Sequence, residues 1–360
     1  MSELTVKVEK LEILPHSNAD KLELAKVGEY KAVVPKDIYK TGDLAVYIPE
    51  QAILPDELIE EFGLTGKLAG SQKNRVKAVR LRGELSQGIV CRPQKLEDKT
   101  VTSYEELLKN NVDLKFLLDI KKWIPDIPIH MSGKASAALD TIKWVDVENI
   151  KRYPDIFNEN ELITANEKIH GTCCIITYDN KTNKIFVTSK GLGAKYLALD
   201  YDKENLYWKT FENNPMIKEI LEHMCVKLQT PRTALFGEIF GPGVQDIHYG
   251  MEKNKIGYQA FDMAYIDDDG RRQFLNQDHF RKVMETVKIK TPPIVFEGEY
   301  NYTKLKDTVQ GRSRIDEQSI LEGVVIRPTT ERKSDILGSR AIAKMINDDY
   351  LTRKGGTEYE

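Results

Sequence analysis

The chain has 360 residues, 41% apolar and 30% charged, with Lys plus Arg at 53 against Asp plus Glu at 56. A net charge of −3 excludes a protein that coats nucleic acid through bulk charge, so any polyanion site has to be a local patch. Four cysteines (Cys91, Cys173, Cys174, Cys225) make neither a disulfide scaffold nor a C-x-x-C zinc pair, and with no membrane-length apolar run and no secretion-signal core the expected compartment is cytoplasmic or nuclear.

At roughly 150 residues per domain the length predicts two domains. Residues 1–100 read as β-rich. Short aliphatic or β-branched runs at 4–6, 32–34, 44–48, 76–81 and 88–91 are punctuated by Gly28, Pro35, Gly42, Pro49 and Gly83. Five strands with a helical insert suit a small closed barrel, and the Gly/Ser/Lys-rich residues 63–74 read as a loop. Asn18 and Asp20 can close an Asx-type turn. Lys73, Arg75, Lys77, Arg80 and Arg82 place five cations within ten residues, and strand alternation would bring part of that charge to one surface. Arg75, Lys77, Arg80 and Arg82 are therefore candidate contacts to nucleic-acid phosphates. The plainer alternative is a solvated strand whose cations block edge pairing.

Residues 101–145 read as a helical linker. Ser103-x-x-Glu106 is a capping box that opens a helix through Leu108, and 114–120 continue a helical segment. Pro125, Pro128 and residues 132–138 come next. From 146 the pattern is α+β. Runs at 173–178 and 184–189 flank Asp179-Asn180-Lys181-Thr182-Asn183, a hairpin signature. Asn214-Pro215 opens a helix striped by Ile217, Ile220, Leu221, Met224 and Leu228. Phe280, Val283, Met284 and Val287 mark a second helix, and both stripes read as core. Cys173 and Cys174 read as buried strand residues.

Lys168-Ile169-His170-Gly171 is the candidate chemical centre. K-x-x-G alone carries no signal, since it recurs at 67–70 and 190–193. The Lys168 copy is set apart by four downstream stretches in a fixed order: Phe236-Gly237-Glu238, Tyr258-Gln259-Ala260-Phe261-Asp262, Glu322-Gly323-Val324-Val325-Ile326-Arg327, and Lys344. Glu297-Gly298-Glu299 competes with Glu322-Gly323, but no basic strand comes after it at short range.

These ordered stretches resemble the covalent nucleotidyltransferases (RNA ligases, DNA ligases and mRNA capping enzymes) across residues 146–350. The wording Glu167-Lys168-Ile169-His170-Gly171-Thr172 is most similar to the nick-sealing RNA ligases. Residues 14–22 and 76–88 resemble the tRNA-binding OB-folds appended to some aminoacyl-tRNA synthetases. An N-terminal OB domain, with only 16 residues after Lys344 to hold a C-terminal one, resembles the Naegleria/Deinococcus type of ATP-dependent RNA ligase.

The resemblance implies an α+β chain: an OB-fold β-barrel (1–100), the helical linker (101–145), and a nucleotidyltransferase adenylation domain of antiparallel sheets and helices (146–360), unrelated to ATP-grasp. It implies a monomeric RNA-repair enzyme that seals 3′-OH and 5′-phosphate ends, through lysyl-AMP and a 5′-adenylylated end. The partner is RNA, as a nicked duplex with RNA on the 3′-OH side, and the cofactors are ATP and Mg²⁺ or Mn²⁺. Lys168 is the implied nucleophile, Glu238 and Glu322 the metal carboxylates, and Lys344 the α-phosphate cation. Phe261 and Val325 would cover the adenine faces and Glu167 its edge. Ile169, His170, Gly171, Lys190 and Arg327 would line the nucleotide site, with Lys151 and Arg152 on the ATP tail. A capping-type guanylyltransferase and an RNA-binding protein with a decayed catalytic domain are the competing readings; the intact Lys168, Glu238, Glu322 and Lys344 argue against the second. Phe261, His170 and Arg327 are also readable as core, packing and surface residues.

A lysine at its reference pKa near ~10.4 is protonated and not nucleophilic. Neighbouring cations or a metal, with partial burial, can lower that value, and Lys344 and a bound Mg²⁺ could do so for Lys168. One departure stands out: the family's last motif carries two lysines as K-x-K, whereas Lys344-Met345-Ile346 has one. Arg340, Arg353 and Lys354 are the cations near enough in sequence to supplement Lys344.

Overall fold

The structure is a computed structural model that describes residues 4–97, 103–125, 131–253 and 255–357. The chain divides into two compact units, Ser2–Ile124 and Pro125–Glu360.

In the first unit the strand Leu44–Ile48 pairs with Lys7–Lys10 on one side and Ile89–Cys91 on the other. It is buried on both faces: Ala45 and Tyr47 join a cluster with Val27, Ala32 and Val34, while Val46 and Ile48 join Val6, Val8 and Leu54. A second sheet is made by Glu12–Pro15, Leu22–Val27 and Tyr30–Pro35. The first two of these strands escape a sequence reading because charged residues interrupt their apolar runs. The expected strand at 4–6 begins instead at Lys7, and the one at 76–81 is a short hairpin, Val79–Leu81 with Glu84–Ser86.

Residues 103–124 are part of this unit. The helix Tyr104–Lys109 opens as its capping box predicts, with Ser103 Oγ accepting from the Glu106 amide at 3.3 Å. Residues 114–120 are turns, not helix. The Asp113 carboxylate accepts from the Val6 and Lys115 amides, Leu114 N–H donates to Val6 O at 2.7 Å, and Asn111 and Asp119 adopt left-handed φ. These contacts fold the segment back onto the first strand. Leu107, Leu114, Leu118 and Ile120 thereby complete the core around Val6 and Val8. The unit boundary falls after Ile124; Pro128 lies outside the described residues.

The second unit holds two five-stranded sheets. The first is ordered Glu148–Asn149, Ala343–Ile346, Gly323–Pro328, Leu162–Glu167, Ile294–Glu299. The first two of these strands run parallel, the one parallel pair among the described strands. The second sheet is ordered Lys184–Ser189, Thr172–Asp179, Arg232–Phe240, Gly257–Ile266, Arg272–Phe274. Helices Met216–Lys227 and Gln277–Thr286 cover one of its faces through Ile217, Leu221, Met224 and Phe280. On its other face Ile175, Ala234 and Phe236 pack with Trp144 and Phe261. Strand alternation assigns each side chain to one face or the other.

Leu114→Ala tests whether 103–124 is core or connector. Loss of a buried leucine should cost ~2–5 kcal/mol in chemical denaturation of the first unit's transition. A linker residue would leave that transition unmoved.

Candidate active site

The strand Leu162–Glu167 belongs to the first sheet, and Thr172–Asp179 to the second. Lys168-Ile169-His170-Gly171 is the four-residue crossing between them. The Lys168 amide donates to Gly323 O at 2.8 Å, which ties the loop to the strand after Glu322. Two glycines permit the crossing. A Cβ on Gly171 would stand 2.1 Å from Ile239 O, and one on Gly323 would stand 2.2 Å from Met345 O. Each therefore closes a strand onto the neighbour of a candidate site residue, Glu238 in one case and Lys344 in the other.

Lys168 Nζ donates to Glu322 Oε1 at 2.6 Å. Glu238, on the strand Arg232–Phe240, is the cross-strand partner of Cys173. Lys344 is the cross-strand partner of Val325, and Lys190 opens the helix Lys190–Ala194, paired to Asp146 at 3.0 Å. Burial disfavours charge on Lys168, but Glu322 and Glu238 outweigh it and hold the ammonium above the ordinary lysine value. Without a metal, Lys344 and burial alone do not lower it. Burial, with Lys168 and Lys190 nearby, instead pushes Lys344 down to about 8. Burial pushes Glu238 up to about 8; Lys168 pulls against it and Glu322 adds to it. Around the Lys168–Glu322 contact, burial thus pushes Glu238 and Lys344 towards their neutral forms.

Glu322 is 5% exposed, and its second oxygen, Oε2, has no hydrogen-bond partner. A buried carboxylate oxygen without a hydrogen bond, close enough to Glu238 for the two carboxylates to repel, fits a hard divalent cation. Among the described residues no group of three or more His, Cys, Asp or Glu is placed to hold a metal.

Other expected residues occupy varied settings. Glu167 is buried; its carboxylate accepts from Ser313 Oγ at 2.6 Å and the Arg314 amide at 2.8 Å. Burial raises it and those two bonds pull the other way. Ile169 is core, packed with Phe240, Tyr249 and Ile346. Ile346, where the family's second lysine would stand, thus packs in an apolar cluster with the Lys168–Gly171 loop. His170 is buried among Asp246, Tyr249 and Tyr350. Phe261 is the extra residue of a bulge in its strand and meets Trp144 edge-on, with ring centroids 4.9 Å apart; Val325 is partly exposed.

Arg327 is fully buried, 3.6 Å from Asp262, which also takes Arg340 at 2.6 Å. Arg340 continues to Glu331 and lies over the Phe274 ring. Arg340 thus serves this inter-sheet cluster. Lys151 is buried against Asp348 at 3.2 Å, and Arg152 pairs with Glu148 at 3.8 Å.

In the first unit Arg75 lies over the Trp123 ring at 3.8 Å, and Lys77 is half-buried. Arg80 and Arg82 are exposed on the Val79–Leu81 hairpin and its turn. The 16–18 segment docks there: His16 Nε2 meets Leu81 O at 3.1 Å and Asn18 Nδ2 donates to Arg82 O at 3.4 Å. Inside that segment it is His16 Nδ1, and not a carboxylate, that captures the Asn18 amide.

Sequence reasoning misses Trp144, Asp246, Ser313 and the pairing of Asp262 with two arginines. Asp262 stands beside Phe261 within one of the ordered motifs, and Asp246 lies just beyond Glu238, after Gly241-Pro242-Gly243, so both carry a local signal.

With lysine, carboxylates and sheets in place, comparison with known proteins defines the class. The chain belongs to the RNA ligase family, whose model matches residues 161–346; an OB-fold domain model matches residues 5–93. A search of curated protein sequences finds no match. Among solved structures, the Naegleria gruberi RNA ligase with PPi is similar at TM-score 0.77 and 22% identity, covering 97% of this chain and 98% of that one. An arginine-to-alanine mutant of the same ligase with ATP and Mn gives 0.77, 23%, 97% and 98%; a glutamate-to-alanine mutant with AMP and Mn gives 0.76, 22%, 97% and 98%. At these identities the likeness establishes the fold: an OB-fold followed by a ligase domain. Among the described residues no helix is long and apolar enough to cross a membrane.

The raised Glu238 carboxyl has a consequence for stability. The folded protein keeps a proton there, up to about pH 8, that the unfolded chain releases near pH 4.5. The native state's advantage at this residue therefore declines as pH rises through that window. Glu238→Gln removes the effect, so its melting temperature relative to wild type should climb between pH 5 and pH 8. Parallel curves would contradict the assignment.

Proposed function

We propose that this protein is an ATP-dependent RNA ligase that joins 3′-OH and 5′-phosphate ends at nicks in duplexes. The observation that carries the reading is the Lys168–Glu322 contact at 2.6 Å, with Glu238, Lys190 and Lys344 around it. In the first step the amine, once deprotonated, attacks the α-phosphorus of ATP. The N–P bond forms and the bond to the pyrophosphate oxygen breaks. A 5′-phosphate oxygen then displaces the lysine and takes the AMP, and a 3′-hydroxyl displaces AMP to close the phosphodiester. Lys344 and Lys190 supply positive charge where the α-phosphate gains negative charge.

Glu322 Oε2 and Glu238 would hold Mg²⁺ or Mn²⁺, which when bound offsets phosphate charge and relieves the carboxylates that keep Lys168 protonated. The similar Naegleria gruberi structures with ATP, AMP and Mn support this choice of ligands. Phe261 and Val325 are assigned to the adenine faces, Glu167 to its edge, Ile169, His170 and Gly171 to the loop under the phosphates, and Lys151 and Arg152 to the triphosphate tail. Arg327 acts from behind, bracing Asp262. The protein acts as a monomer. Arg80 and Arg82 are the cations best exposed to touch the strand being joined, with Lys77 and Arg75 set further back.

Lys168→Ala should abolish covalent label from radioactive ATP, while Lys67→Ala should label as wild type. Label from GTP alone would replace the ligase reading with a capping-type guanylyltransferase. No label from any nucleotide triphosphate, with Mg²⁺ or Mn²⁺, would point to a decayed enzyme.

Arg80→Ala with Arg82→Ala should weaken nick sealing by about 10-fold or more at moderate salt, because phosphate contacts are lost. Lysine labelling should be unchanged. Sealing should also require RNA at the 3′-OH terminus, since a 2′-hydroxyl separates RNA from DNA. Nicked duplexes with each strand independently RNA or DNA check this, and efficient joining of a DNA 3′-OH strand would contradict it.

A further inference from the structure

The family match ends at residue 346, yet residues 350–357 return to the nucleophile loop. They do so through a connected set of hydrogen bonds that no motif predicts. The His170 amide donates to Tyr249 Oη at 2.6 Å, and Gly171 O accepts from Gln245 Nε2 at 3.2 Å. The His170 ring is held from both sides: Nε2 meets Asp246 Oδ1 at 2.8 Å and Nδ1 meets Tyr350 Oη at 2.9 Å. An ionised carboxylate only accepts, so His170 Nε2 donates to Asp246; Arg353 Nη2 lies 3.3 Å from the same ring nitrogen, and Nδ1 lies 3.8 Å from Glu322 Oε2.

Asp246 is the hub of the set. It accepts from Arg353 Nε at 2.9 Å, Arg353 Nη2 at 3.0 Å, the Thr357 amide at 2.7 Å and the Thr357 hydroxyl at 3.0 Å. Arg353 in turn lies 3.8 Å over the Tyr350 ring. Burial raises the Asp246 carboxyl, but the bonds from His170, Arg353 and Thr357 hold it well below the usual carboxylate range. The guanidinium that sequence proximity offers as a substitute for the missing second lysine is therefore committed elsewhere.

We propose that the C-terminal segment 350–357 is a positioning element for the nucleophile: acting through Asp246 and His170, it fixes where Lys168 Nζ stands. Neither Asp246 nor Arg353 needs to touch the nucleotide. His170 lies two residues from Lys168 in a loop of four, so a shift of the ring moves the amine. Displacement of a reacting group by about 1 Å can cost ~100-fold in rate. The inference rests on the ligase reading of the site.

The test uses the full-length protein with Asp246→Ala, Tyr350→Phe and Thr357→Ala. Single-turnover formation of enzyme–AMP is followed over a range of ATP concentrations. A second assay seals a nick already carrying 5′-AMP, which bypasses attack by Lys168. Asp246→Ala should slow AMP uptake by about 10-fold or more, with half-saturating ATP and pre-adenylylated sealing both within about 3-fold of wild type. Tyr350→Phe and Thr357→Ala each remove one hydroxyl, and should show the same pattern at smaller amplitude; they carry the test if Asp246→Ala does not fold. Wild-type rates of AMP uptake in the folded variants would overturn the proposal. So would equal losses in both assays, which mark a general structural defect. A wild-type protein that takes up no AMP would instead bring down the ligase reading itself.

Discussion

The site is organised around a contradiction between a lysine and its partner. On the ligase reading Lys168 has to become a neutral amine, and Glu322 at 2.6 Å favours the ammonium. In a partly desolvated space such a pair is strong, because the field between the charges is poorly screened. Its neighbours adjust around it: Glu238 is pushed towards its neutral form and so is Lys344. The resting arrangement thus stores one lysine proton at the contact pair, with the amines of Lys344 and Lys190 beside it. A divalent cation at the unpaired Glu322 oxygen would loosen the hold on that proton.

Such an arrangement survives only if the two sheets that carry it cannot slide. Asp262 belongs to the second sheet and Arg327 to the first, and the two meet with neither exposed. Arg340 adds a second guanidinium to the same carboxylate and is itself held by Glu331. A buried ion cluster of this kind is poor evidence of net stability, since desolvating the ions is costly. Its geometry is what matters, because it pins one sheet to the other close behind the candidate base pocket of Phe261 and Val325. The close passages at Gly171 and Gly323 act in the same sense, bringing the loop and its strands to backbone contact.

Much of this is legible in the amino-acid order. The hairpin on either side of Asp179–Asn183, the stripes of the helices Met216–Lys227 and Gln277–Thr286, and the Ser103 cap come from local periodicity and turn chemistry, and appear as expected. Ordered motifs single out Lys168, Glu238, Glu322 and Lys344. The features that stay hidden depend on partners distant in sequence. Residues 114–120 have helix-like composition, but Asp113 commits its carboxylate to Val6, more than a hundred positions away. Arg75 reads as part of a basic strand, yet Trp123 draws it off. Arg353 has the sequence position of a spare phosphate cation, but Asp246 holds it. The direction of the Lys168 shift is not legible either, since it turns on the balance of burial against two carboxylates on other strands.

Glu322 and Glu238 hold Lys168 protonated, and on the ligase reading the lysine is freed when those carboxylates are occupied. The direct measurement is an NMR titration of the Lys168 side chain, assigned by comparison with Lys168→Arg, in metal-free protein and again with saturating Mg²⁺ and a non-hydrolysable ATP analogue. The expected result is a pKa above the ordinary lysine value of ~10.4 in the metal-free protein, and a clear fall on adding metal and nucleotide. A metal-free value already below that of an ordinary lysine, or one that does not move when the ligands bind, would contradict this control of the nucleophile.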